Sequence, residues 1–199
     1  MNSLLDQLLT TLKTKEVRDL AWVIGSTPLM SKAIETPQFI AVDQVWCNQQ
    51  LEQHKDWLHQ LDATPAPLLS YLPTQEYFKL GHYFEALVGF WLSKSGSFEW
   101  TARNIQINTT KRTLGEADAL ALPSNSTAVQ HWELAVKYYL GTDQSSDWNA
   151  WIGPNPADSL AKKMSTMTDR QLRLFDTVEG KSYLKANDIK NVVPHLFLK

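Results

Sequence analysis

The sequence predicts an α/β fold in which a helix, a three-strand antiparallel meander, a second helix and a last strand follow one another, with a helical extension in front. Three observations predict it. Leu80, Phe84, Leu87, Val88 and Trp91 make one apolar stripe at helical spacing. Three segments rich in strand-forming residues follow, at 98–108, 113–122 and 128–140, joined by short polar connections. A helix start at Asn155-Pro156-Ala157-Asp158 then precedes the β-like run Val192 to Leu198.

In chain order, residues 2–23 read as one amphipathic helix on Leu5, Leu8, Leu9, Leu12, Val17 and Leu20, stopped by Gly25-Ser26-Thr27-Pro28. Residues 43–61 read as a second, carrying Trp46, Leu51, Trp57 and Leu58. Ala63-Thr64-Pro65-Ala66-Pro67 has linker composition, which divides the chain into an extension, 1–67, and a core, 68–199. Thr74 is the expected N-cap of the next helix, which ends near Ser95-Gly96. The meander strands carry Trp100, Ile105 and Ile107, then Leu114, Leu120 and Leu122, then a Val-, Trp- and Tyr-rich run. Leu160, Met164, Met167 and Gln171 share a face of the following helix. Pro194 argues that the last strand lies at a sheet edge.

Composition narrows the function. With 19 basic and 21 acidic residues the net charge is −2, so the chain is not a bulk basic protein, although a local basic groove is allowed. Cys47 is the one cysteine, which excludes an intrachain disulfide and a cysteine zinc cluster. A single thiol and an amino terminus unlike a secretion leader predict a cytoplasmic protein. No apolar run approaches the roughly 20 residues of a membrane span. Phosphate-loop, dinucleotide, zinc-peptidase and nucleophile-elbow motifs are absent.

What remains is polar residues inside apolar strands. Alternation puts Glu116 and Asp118 on one face of the second meander strand, and Glu133 and Lys137 on one face of the third. Paired strands would bring Asp118 beside Glu133, where like charges repel. A cation relieves that conflict, and two carboxylates are hard-oxygen ligands suited to Mg²⁺ or Mn²⁺. With a lysine to orient water or neutralise a phosphate oxygen, the set points to metal-assisted phosphodiester hydrolysis. Lys162, Lys163 and Arg170, on the helix after the meander, are candidate nucleic-acid contacts. The bland readings are solvated acids, a lysine packed by its stem, and a basic helix face.

The element order and these residues resemble PD-(D/E)XK nucleases and other restriction-endonuclease-like proteins. Gly115-Glu116-Ala117-Asp118 is similar to the segment that carries a metal-binding Asp, and Glu133 with Lys137 to the Glu-x-Lys strand. Glu85, in Gly81-His82-Tyr83-Phe84-Glu85, resembles the helical acid that some members add to the metal site. The chain is more closely similar to the uncharacterised bacterial domain-of-unknown-function family 1853, through Arg18–Trp22, Lys79–Glu85, Arg112–Asp118 and His131–Lys137. The resemblance implies Asp118, Glu133 and Lys137 as catalytic residues, Asp118, Glu133 and Glu85 as metal ligands, and Glu116 and His82 as their supports. It implies DNA or RNA as partner and no membrane. One departure stands out. Glu and Lys are usually two residues apart and here four, so Lys137 would sit roughly 13 Å along the strand instead of about 6.6 Å. That spacing keeps open a second reading, a non-catalytic nuclease-like domain that binds nucleic acid or protein.

Overall fold

A computed structural model describes residues 3–29, 35–36, 39–73, 79–141 and 147–199. Its centre is a six-stranded mixed sheet in the order β1-β2-β8-β5-β4-β3. These strands are β1 (Glu35–Thr36), β2 (Phe39–Ala41), β3 (Phe98–Asn108), β4 (Thr113–Pro123), β5 (Val129–Ala135) and β8 (Val192–Leu198). The short pair β6 (Leu140–Gly141) and β7 (Trp151–Ile152) forms a separate ribbon. Strands β3, β4 and β5 form the expected antiparallel meander. Strand β8 then runs parallel to β5 on one side and to β2 on the other.

The amino-terminal helix is two helices rather than one. Helix α1 (Ser3–Thr11) and helix α2 (Lys15–Gly25) are separated at residues 12–14. The break is built by Asp62, whose oxygens accept from Lys13 N at 2.9 Å and Thr14 N at 2.7 Å and so cap α2 from a distant helix. That helix is α3 (Gln44–Ala63), started by Asp43, whose Oδ1 accepts from Trp46 N at 2.9 Å. The short α4 (Ala66–Tyr71) follows. Before α3, β1 and β2 give the amino-terminal part a share in the sheet, which helical periodicity does not reveal in segments of two and three residues.

Helix α5 (Leu80–Lys94) buries Phe84, Leu87, Val88 and Trp91 of its stripe and leaves Leu80 exposed, and Gly96, at φ 78°, takes the left-handed conformation that turns the chain into β3. The Thr74 cap lies outside the described residues. Under α5, Trp91, Trp132 and Phe197 are fully buried and pack with Trp46 at ring distances of 5.5–6.1 Å. The other face of the sheet buries Ile105, Ile107, Leu120 and Val129 under Leu174 and Phe175.

The helix after the meander starts later than expected. Asn155 makes a turn, its Oδ1 accepting from Ala157 N, and α6 (Leu160–Thr166) is capped by Ser159. Leu160, Met164 and Met167 are buried against Leu196 and Leu198. A π-helical turn, Met167–Gln171, continues α6, and α7 (Val178–Ala186), capped by Thr177, leads back to β8. Strand β8 is internal, not an edge. Pro194 sits one residue before His195, the first residue of β8 that pairs with β2. No described helix is long and apolar enough to cross a membrane.

Candidate active site

Asp118 stands where the meander loses its regularity on both sides. Toward β5, paired residues run Ala121–Gln130, Leu120–His131, Ala119–Trp132, and stop there. The next pair in that register would be Asp118 with Glu133. The strands part instead, and the Asp118 carboxylate fills the gap by accepting from Leu134 N at 2.7 Å. Toward β3, Arg103 pairs Ala119 and Ile105 pairs Ala117. The residue between, Asn104, which would face Asp118, has φ 54°. Asn is among the few residues that accept this conformation, and such backbone clusters at functional sites. Asp118 and Glu133 therefore meet, as strand parity predicts, at a fork in the sheet.

Glu133 is completely buried. Its Oε1 lies 2.8 Å from His131 Nε2, and its Oε2 accepts from Gln171 Nε2 at 2.9 Å. His131, equally buried, sets its ring edge-on to Phe175 at 4.9 Å and leaves Nδ1 without a partner. Burial, reinforced by Glu133, pushes Asp118 up to about 7. Burial pushes Glu133 up to about 8, against the pull of Lys163. Burial lowers His131 to about 4, so the imidazole is neutral at physiological pH.

Further charges gather round this pair. Glu85, half-buried on α5, is raised by burial and interacts with His82, Arg103, Glu116 and Lys163. Glu116 lies at the mouth and accepts from Gln106 Nε2 at 3.2 Å. His82 is exposed one turn before Glu85. A cleft of about 310 Å³ opens over the fork, walled by Glu116, Asp118, Thr166, Arg170, Gln171 and Leu174. Gly115 belongs here because a Cβ would come within 3.1 Å of Leu174 Cδ1. A larger depression of about 620 Å³ lies toward the other end of β4, between α3 and the turns at 95–98 and 123–126, but no carboxylate, lysine or arginine lines it.

Lys137 is not part of this arrangement. Strand β5 ends at Ala135, and Lys137 lies two residues past it, its backbone N–H still donating to Lys199 O at 2.9 Å. Its ammonium pairs with Asp158 at 3.4 Å on the surface. The lysine that interacts with Glu85, Asp118 and Glu133 is Lys163. It lies one turn before Thr166 and two before Arg170, both of which wall the cleft. Lys162 points elsewhere, its Nζ donating to Ala157 O at 3.2 Å. Sequence reasoning placed Lys163 and Arg170 beside the substrate without tying Lys163 to the carboxylates, and gave Gln171 only a shared helix face.

The half-buried Asp118 and the buried Glu133 are a hard-oxygen donor set of the kind that suits Mg²⁺ or Mn²⁺, and burial favours the neutral form of both carboxyl groups until a cation offsets the charge. The fit is incomplete, since both Glu133 oxygens are already engaged. No group of three or more His, Cys, Asp or Glu side chains able to hold a metal ion is present among the described residues.

The profile of a family described as "Domain of unknown function (DUF1853)" matches residues 18–199. The chain belongs to the DUF1853 family. No curated protein and no solved structure matches it. The match covers α2 through β8, and so the whole fork, but the family description carries no activity.

Proposed function

We propose that this DUF1853 protein is a divalent-cation-dependent nuclease of the PD-(D/E)XK type, hydrolysing phosphodiester bonds of DNA or RNA. The observation that carries the reading is that Asp118, which lines a cleft walled by Arg170, lies near the buried Glu133 where β4 and β5 part. Asp118 and Glu133 would hold Mg²⁺ or Mn²⁺, with Glu85 as the third acid nearby. The ion, when bound, supplies Lewis acidity and a water made nucleophilic at neutral pH. Lys163 takes the part expected of Lys137: its charge offsets that of the three acids and is available to a phosphate oxygen. Arg170, exposed on the cleft wall, offers the planar fork that grips phosphate. Asp118 also fixes the fork itself, through Leu134 N.

The second reading, a nuclease-like domain that binds nucleic acid or protein without cleaving, is favoured by one observation. Glu133 is sealed from solvent with both oxygens engaged.

The test is calorimetric titration with Mn²⁺, with and without an oligonucleotide, on the native chain and on a folded Asp118→Ala/Glu133→Ala variant. Cleavage assays on single- and double-stranded DNA and RNA accompany it. Saturable binding that the double variant loses, together with cleavage, upholds the nuclease. Oligonucleotide binding with neither Mn²⁺ uptake nor cleavage upholds the second reading.

A further inference from the structure

We infer that Gln171 is a latch on the candidate cation site: its amide occupies the Glu133 oxygen that a divalent ion would take, and the ion enters in exchange for it. The inference rests on the metal-site reading above and says how that site opens. Besides the Asp118 backbone N–H, Glu133 has two side chains at hydrogen-bond distance, and they differ in freedom. His131 is fully buried on the same strand and wedged against Phe175. Gln171 is half-buried and lines the cleft, so it stands between Glu133 and solvent. Moving Gln171 exposes Glu133 to the space that Asp118 already lines. No other described side chain is hydrogen-bonded to Glu133.

The backbone under Gln171 is suited to such a movement. Gln171 ends the π-helical turn, which Leu172 N closes onto Met167 O at 2.9 Å, an i to i+5 bond. A π-turn holds one residue more than an α-turn and is looser for it, and these turns concentrate at functional sites. Met167 anchors its start, fully buried, while Asp169 and Arg170 are exposed. The chemistry fits an exchange as well. The amide is a neutral donor that satisfies a buried carboxyl group without neutralising the repulsion between Asp118 and Glu133, whereas a divalent cation does both.

Mn²⁺ titration calorimetry on the native chain, Gln171→Ala, Gln171→Glu and a Thr166→Ala control, with each melting temperature recorded, tests this. Gln171→Ala removes the competing donor and is expected to bind Mn²⁺ about tenfold tighter than the native chain, the worth of one hydrogen bond at the upper end of its usual range. Gln171→Glu supplies a third carboxylate and is expected to bind tighter still. Thr166→Ala, in the same wall but not bonded to Glu133, is expected to leave the affinity unchanged. Structural damage would weaken binding, so a gain is a readout that a scaffolding role does not produce. Native binding that Gln171→Ala leaves equal or weakens overturns the latch while the metal site stands. No Mn²⁺ uptake by the native chain or by either Gln171 variant, even with an oligonucleotide present, overturns the metal reading and the latch with it.

Discussion

Of the places where the described residues bury ionisable side chains, the fork and the Lys199 pocket resolve the cost in opposite ways. At the fork, Asp118 and Glu133 bring like charges together beside a cleft. At the junction of α2, α3 and the residue after β8, the Lys199 ammonium lies against Cys47 Sγ at 3.4 Å and donates to Ser26 O, below the Phe197 ring at 4.9 Å. There the partners are complementary and sealed. Burial lowers Lys199 to about 8, Cys47 opposing it, and burial raises the Cys47 thiol. A buried charge with a satisfied partner reads as packing. A buried pair that repels, open to a cleft, reads as a site waiting for a ligand.

The two places can be told apart by pH. An acid with a raised folded-state pKa keeps its proton longer in the fold than in the unfolded chain. The fold therefore loses stability as pH rises from the ordinary carboxylate range to about 8. Without divalent ions, Glu133→Gln should be more stable than the native chain at pH 9, by something of the order of 4 kcal/mol, and no different at pH 4. Urea denaturation at both pH values checks this, and equal curves at pH 9 would erase the contrast. Millimolar Mn²⁺ should give the native chain much of the same gain.

Lys199 has the opposite sign. A lysine with a lowered folded-state pKa gives up its proton earlier in the fold, so stability rises between about 8 and the ordinary 10.5. Lys199→Met should remove that rise, worth up to about 3 kcal/mol, and leave Mn²⁺ binding alone. Denaturation at pH 8 and pH 10.5, with calorimetry on the same variant, separates the two effects.

Two backbone positions sharpen the comparison further. A Cβ on Gly180 would meet Leu174 O at 2.3 Å and Phe175 Cα at 2.7 Å, both backbone atoms. Gly180→Ala should cost about 2 kcal/mol and disturb the wall over His131, while Cys47 stays as slow to label with a thiol reagent as in the native chain. Asn104→Val, forced into a left-handed conformation opposite Asp118, should cost about 1–2 kcal/mol, and Asn104→Gly close to nothing. Thermal melts of the pair measure the difference.

Most of the sheet was legible because its cues are local. Strand β3 alternates exposed and buried residues from Asn104 to Asn108, and parity allows Asp118 and Glu133 to lie side by side if their strands pair, which they do up to Ala119 and Trp132. The helix α5 stripe was equally plain. What escaped depends on long-range partners. Val136 to Tyr139 have strand composition, yet β5 stops at Ala135, and where it stops depends on a parallel neighbour about 60 residues later in the chain. Lys137 lies beyond that point and pairs with Asp158. The two-helix break at 12–14 depends on Asp62, and the Gln171 contact depends on a π-turn that no spacing rule reports. Lys163 carried a signal, one turn before Thr166 and two before Arg170, but its carboxylate partners are a matter of fold.

The position of β8 has a consequence for synthesis. It joins β5 to β2, yet it is the last described strand to leave the ribosome. Until it arrives, the meander and the β1-β2 pair are separate fragments, each with an exposed strand flank that could pair with a neighbouring nascent chain. The sheet closes only when Val192 to Leu198 slots between them, bringing the flank of β5 into register with Glu133 already in place. Completion of the fold is thus a late event, and any charge at the fork is buried only then.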